Sequence, residues 1–117
     1  AFSLLQRCAA HTASLTDINE AYLAGQMAVR YAIEGKTDCM VAFERKNDNG
    51  YKCNTKLVSL ADVANKEKKV PIEWIKEGNT GMTDEFIDYA LPLIQGQTTL
   101  PYENGLPRFV KLKKVKV

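Results

Sequence analysis

Residues 14–35 constrain this chain more than any other stretch. Ser14-Leu15-Thr16-Asp17 has the Ser-x-x-Asp spacing of an N-terminal capping box, in which side-chain oxygens satisfy backbone N–H groups left free by the first helical turn. Ile18, Ala21, Tyr22, Gly25, Ala28, Val29, Ala32 and Ile33 then recur at spacings of three and four. That period predicts one buried face of a helix running to Glu34 and stopping at Gly35. Four members of the stripe, Ala21, Gly25, Ala28 and Ala32, have almost no side chain, so the helix can lie close to whatever covers it. A sheet is the expected surface.

Three residues beyond the helix stop, residues 39–43 (Cys-Met-Val-Ala-Phe) are apolar on both alternating faces, the pattern of a strand covered on each side. The short apolar stretch 2–5 is consistent with a strand ahead of the helix, although at this length periodicity does not separate that from a helical fragment. Strand, helix and strand make a βαβ unit, and if 2–7 and 39–45 share one sheet its strands lie parallel with a right-handed crossover. Asn47-Asp48-Asn49-Gly50 signals a turn, and the alternating stretch 51–59 makes the returning arm of a hairpin. Downstream, short helical segments are expected at 60–66 and, opened by Pro71, at 72–76. Thr83 caps a helix over 84–91 whose inner face is Phe86, Ile87, Ala90 and Leu91, and Pro92 kinks or ends it. Residues 95–107 read as loop and 107–117 as an extended basic tail. The fold class is α/β: a βαβ unit, a hairpin strand and short helices.

At 117 residues and 45% hydrophobic composition, one domain is expected. The net charge of +2 creates no field that would gather nucleic acid or an anionic membrane. Cys8, Cys39 and Cys53 are odd in number and lack Cys-x-x-Cys spacing, so neither a disulfide framework nor a zinc site is suggested, and reduced thiols in the cytoplasm are expected. No apolar run approaches the roughly 20 residues of a membrane span, and nothing resembles a signal peptide. The first residues enter an apolar stretch without a methionine, as a piece of a longer protein would.

Phosphoryl transfer needs a phosphate cradle, a carboxylate-held Mg²⁺ and a base for the attacking hydroxyl, and these do not occur here as a set. Arg7 could hold a phosphate by two parallel N–H donations, or could be a solvated arginine at a strand end. The lone His11 reads as a structural hydrogen-bonder, and Cys8, beside Arg7, as a buried inert thiol. Trp74 reads as packing of a short helix. Lys66, Lys68, Lys69 and the tail lysines Lys111, Lys113, Lys114 and Lys116 read as solvated charge.

Four blocks occur in an order that resembles pyrophosphate-dependent phosphofructokinases: residues 5–17 (Leu-Gln-Arg-Cys-Ala-Ala-His-Thr-Ala-Ser-Leu-Thr-Asp), 60–71 (Leu-Ala-Asp-Val-Ala-Asn-Lys-Glu-Lys-Lys-Val-Pro), 89–96 (Tyr-Ala-Leu-Pro-Leu-Ile-Gln-Gly) and 105–110 (Gly-Leu-Pro-Arg-Phe-Val). The resemblance implies that residues 1–117 are a single C-terminal fragment of that family's Rossmann-like fold. It places the Gly-Gly-Asp phosphate loop, the catalytic aspartates and the Met-Gly-Arg substrate motif upstream, so the chain alone is expected to be inactive and to contain no catalytic or metal-binding residue. It further implies that Arg7, ending the family's His-x-x-Arg or Tyr-x-x-Arg pattern, contacts the sugar phosphate of fructose 6-phosphate, with Gln6 as a neighbour. Leu4 departs from the pattern, since leucine cannot donate to phosphate.

For the whole enzyme the resemblance implies fructose 6-phosphate and pyrophosphate as substrates, Mg²⁺ as cofactor, a homo-oligomer and a place in glycolysis. An ATP donor and a noncatalytic assembly or regulatory module are the alternatives. Separated from its other parts, such a fragment should expose apolar surface and self-associate.

Overall fold

A computed structural model describes residues 3–47, 50–108 and 110–115, without the side chains of Ser3, Gln6, Arg7 and Ala10. The first element is helix α1 (Ser3–Cys8), followed by a 3₁₀ turn at Ala10–Thr12. The strand expected over 2–5 is therefore corrected to a helix from Ser3 onward, while Phe2 lies outside the described residues. Three apolar residues in a stretch of four satisfy either periodicity, and here the helical one prevails. With it goes the βαβ unit: among the described residues every strand pairing is antiparallel.

Helix α2 (Leu15–Ile33) begins and ends where its sequence says it should. The Ser14 hydroxyl accepts a bond from the Asp17 N–H and donates to the Leu93 carbonyl at 2.6 Å, so one side chain caps the helix and ties down a distant segment. Gly35, at φ 75°, turns the chain out of the helix. Strands β1 (Cys39–Lys46) and β2 (Lys52–Ser59) form the expected hairpin, in register from Cys39 opposite Ser59 to Lys46 opposite Lys52. Of its turn, Asp48 and Asn49 lie outside the described residues.

The remaining elements are short. Helix α3 (Leu60–Val63), capped by the Ser59 hydroxyl, is briefer than the expected 60–66. The segment opened by Pro71 is a 3₁₀ turn at Ile72–Trp74, and a second lies at Glu77–Asn79. Helix α4 (Asp84–Ala90) gives way at Pro92 to a 3₁₀ turn, Leu91–Ile94. Thr83 has the extended backbone of a cap but makes no capping bond, and its buried hydroxyl has no partner among the described residues. Within the stretch expected as loop, β3 (Tyr102–Glu103) and β4 (Leu106–Pro107) pair around Asn104 and Gly105. Residues 110–115 form no helix or strand.

The hairpin packs on α2, but not on the side that the sequence pattern selected. Thr16, Glu20, Leu23, Ala24, Met27 and Tyr31 are half-buried, and Leu23, Thr16 and Glu20 line a cleft with Tyr51 and Cys53. The expected inner stripe, from Ile18 through Gly25 to Ile33, is exposed, about half a turn away at 100° per residue. The helix carries apolar residues on both sides, and the hairpin covers one of them.

Nothing among the described residues reaches full burial. The surface is 10534 Å², where a compact protein of this mass exposes about 6,400 Å². The radius of gyration, 18.2 Å, exceeds the roughly 13 Å expected at this length. Trp74 packs edge-on against Phe86 at 6.3 Å and tilted against Tyr89 at 5.4 Å, bearing out its reading as a packing residue.

Candidate functional site

A groove of about 760 Å³ opens where the turn after α1 meets the start of α2 and residues 93–98. Its polar lining comprises His11, Thr12, Ser14, Asp17, Gln97 and Thr98. The wall is built by backbone pairing: Ser14 bridges Gln97, and the Leu15 and Thr16 N–H groups donate to the Gly96 and Gln95 carbonyls at 3.1 and 3.2 Å. Gly96 is required at this seam. Its φ is 79°, and a Cβ there would stand 2.7 Å from Leu15 Cβ, closer than carbon atoms pack. Replacing Ser14 by alanine removes both the cap and the tie to Leu93, an expected loss of about 1–2 kcal/mol, readable as a lower urea midpoint.

This pairing also settles what the start of α2 can bind. A helix N-terminus attracts anions because its first N–H groups are free. Here Leu15 and Thr16 donate to residues 95–96, Asp17 donates to the Ser14 hydroxyl and Ile18 to the Ser14 carbonyl. No donor of the first turn is left for a phosphate, and the Asp17 carboxylate adds repulsion. The first turn of α2 therefore offers no backbone anion site to this groove.

Arg7 and Gln6 sit in α1 just ahead of Ala9, the first residue of the groove wall, and their side chains lie outside the described set. His11 lines the groove, exposed, and its ring makes no hydrogen bond among the described residues. Cys8 is likewise exposed rather than buried, because nothing described packs over the end of α1. The Thr98 hydroxyl is buried without a partner among the described residues. Lys66 and Lys69 stand 3.9 Å from Asp62 and Glu67 on the surface, as solvated charge should. Gly35-Lys36-Thr37 has the last three letters of a phosphate-loop motif, but it follows α2 instead of opening a helix, and Arg30 stands where that motif's first glycine belongs. Among the described residues no three His, Cys, Asp or Glu come together as a metal-binding group.

Next to the groove lies a cluster that the sequence did not announce. The Arg45 guanidinium is sandwiched between the rings of Tyr51 and Tyr89, at 4.8 and 4.9 Å from their centres. It donates to the carbonyls of Tyr89 at 2.5 Å and Asp88 at 3.0 Å and to the Asn47 side chain at 3.1 Å. Its positive charge therefore sits at the C-terminal end of α4, where the helix dipole favours a cation. Arg45 fastens α4 to the hairpin.

On the other side of the Tyr51 ring, its hydroxyl donates to Glu20 of α2 at 2.5 Å. Burial, then the bond to the Glu20 carboxylate, push the phenol well above its ordinary range, and the Cys53 thiol is raised by burial first and Glu20 second. An unfolded Tyr51 would lose its proton near pH 10 while the folded one keeps it. The unfolded state then binds fewer protons, so this contribution to stability is complete below about pH 10 and declines above it. Denaturant midpoints between pH 8 and 11 should show that decline, flattened by Tyr51→Phe.

No family model matches the chain. Curated relatives do. It is 44% identical over 97% of its length to the pyrophosphate–fructose 6-phosphate 1-phosphotransferase of Halomonas elongata, and 42% identical over 97% to that of Methylococcus capsulatus. It spans 27% of the length of each. Among solved structures, the pyrophosphate-dependent phosphofructokinase of Nitrosospira multiformis superposes with a TM-score of 0.88 at 41% identity, over 97% of this chain and 29% of that one. That of Marinobacter aquaeolei gives 0.83 at 37% identity, over 98% and 31%.

The arrangement of α2, the hairpin and the short helices is thus a segment of the phosphofructokinase fold. The chain belongs to the pyrophosphate-dependent phosphofructokinase family, of which it represents a little over a quarter. Helices and strands in this arrangement bear out the α/β class, with the first strand corrected as above. No helix among the described residues is long and apolar enough to cross a membrane.

Proposed function

We propose that this chain is the C-terminal segment of a cytoplasmic, homo-oligomeric enzyme that transfers a phosphoryl group from pyrophosphate to fructose 6-phosphate in glycolysis, giving fructose 1,6-bisphosphate and phosphate. What carries the reading is likeness in sequence and fold together: 40–44% identity over 97% of the chain to relatives of that one activity, with TM-scores of 0.83 and 0.88. Those relatives are all named for pyrophosphate, which favours it over ATP.

The segment's part in the reaction is binding. Arg7 takes the sugar phosphate through two parallel donations from its planar guanidinium, and Gln6 is a neighbour to that contact. The first-turn N–H groups of α2 are already bonded, so this reading gives the phosphate to the Arg7 guanidinium and not to the helix N-terminus. Mg²⁺, the attacking base and the phosphate cradle belong to other segments of the enzyme, which leaves the isolated chain inactive. Assaying the full-length enzyme with pyrophosphate and with ATP tests the donor. Turnover with pyrophosphate alone is expected; turnover with ATP alone, or with neither, contradicts the reading.

A further inference from the structure

A phosphate group presents three acceptor oxygens, and the fork of one guanidinium reaches two of them. If Arg7 grips the sugar phosphate, the third oxygen needs another donor beside α1. Leu4 cannot give one. The first turn of α2 has committed its N–H groups to residues 95–96 and to Ser14. Two hydroxyls of the groove are committed as well: Thr12 donates to the Ala9 carbonyl at 2.7 Å and Ser14 to the Leu93 carbonyl at 2.6 Å. The Thr98 hydroxyl has no partner among the described residues, but it is buried and so closed to a ligand lying in the groove. Gln97 offers a neutral amide from the wall of residues 93–98, and Asp17 a carboxylate that repels an anion.

His11 differs from all of these. Among the described residues lining the groove it is the one whose side chain can carry positive charge, and it is exposed. It follows Arg7 by four residues on a path that is helical at Ser3–Cys8 and again at Ala10–Thr12, and residues four apart along a helix are neighbours. Resting on the reading of Arg7 as the grip on the sugar phosphate, we infer that His11 is a second phosphate-binding residue, its imidazole donating an N–H to the oxygen that Arg7 does not take. A hydrogen bond from a charged donor to phosphate is roughly twice as strong as a neutral one, so the contact contributes to affinity for the phosphorylated sugar. Pyrophosphate affinity does not depend on it.

The test compares His11→Ala, His11→Gln and Arg7→Ala in the full-length enzyme by kcat, Tm and the KM for each substrate. His11→Ala is expected to raise the KM for fructose 6-phosphate about tenfold, with the KM for pyrophosphate and the Tm unchanged. His11→Gln, which keeps a neutral N–H donor, should fall between His11→Ala and wild type. An unchanged KM for fructose 6-phosphate in His11→Ala overturns the inference and gives the third oxygen to a donor elsewhere in the enzyme. A rise shared by both substrates, or one accompanied by a fall in Tm, also overturns it, since either marks a structural histidine. Arg7→Ala separates the two readings. If it leaves the KM for fructose 6-phosphate unchanged, the assignment of Arg7 fails; if it raises that KM while His11→Ala does not, only the assignment of His11 fails.

Discussion

Replacing Arg7 by alanine in the full-length enzyme is expected to raise the KM for fructose 6-phosphate about 100-fold, with a smaller change in kcat. Losing one member of a desolvated charge pair costs about 2–5 kcal/mol, and every 1.4 kcal/mol is tenfold in affinity. The prediction gains force from the start of α2, whose first-turn N–H groups are already bonded to residues 95–96 and to Ser14. Nothing in that turn can substitute for a lost guanidinium. Arg7→Lys should recover part of the affinity, since an ammonium keeps the charge but not the paired donors. Steady-state kinetics with fructose 6-phosphate varied at saturating pyrophosphate checks both variants, and an unchanged KM in Arg7→Ala contradicts the assigned contact.

The second large effect is on stability. Arg45→Ala removes two bonds to carbonyls at the end of α4 and a cation held between two tyrosine rings. Hydrogen bonds to a charged group contribute about 1.5–3 kcal/mol, and partly exposed cation–π contacts about 0.5–1 kcal/mol each. A loss of about 2–4 kcal/mol is expected, and urea unfolding of the full-length enzyme measures it. Arg45→Lys should restore less than half, because a lysine cannot fork between the Asp88 and Tyr89 carbonyls. Arg45 binds structure, so KM values of the folded variant should hold within about twofold.

These two arginines show where the sequence was legible and where it was not. Arg7 stands out only through a contiguous family pattern, four residues long. Arg45 matters through Tyr51, Asp88 and Tyr89, up to 44 residues away, and no local spacing encodes such a meeting. Local signals read well: Ser14 caps α2, Gly35 ends it, Gly50 follows the described turn residue Asn47, and Pro92 stops α4. The seam between Ser14 and Gln97 was hidden because 83 residues separate its sides.

Helix α2 failed to reveal its contact face for a different reason. Periodicity reports that a stripe is apolar, not which neighbour covers it. The stripe from Ile18 to Ile33 is the stronger in sequence, yet the hairpin takes the weaker one through Leu23, Met27 and Tyr31, with Glu20 bonded to Tyr51. The apolar residues at 2–5 were ambiguous for want of length, since four residues complete barely one helical turn.

The most direct measurement is a transplant. This chain replaces the matching segment of the Halomonas elongata phosphotransferase, of which it spans 27% at 44% identity, and the purified hybrid is assayed for pyrophosphate-dependent phosphorylation of fructose 6-phosphate. The account predicts a folded hybrid with turnover within about tenfold of the parent and an Arg7→Ala hybrid with a raised KM. A folded hybrid that binds neither substrate would contradict it.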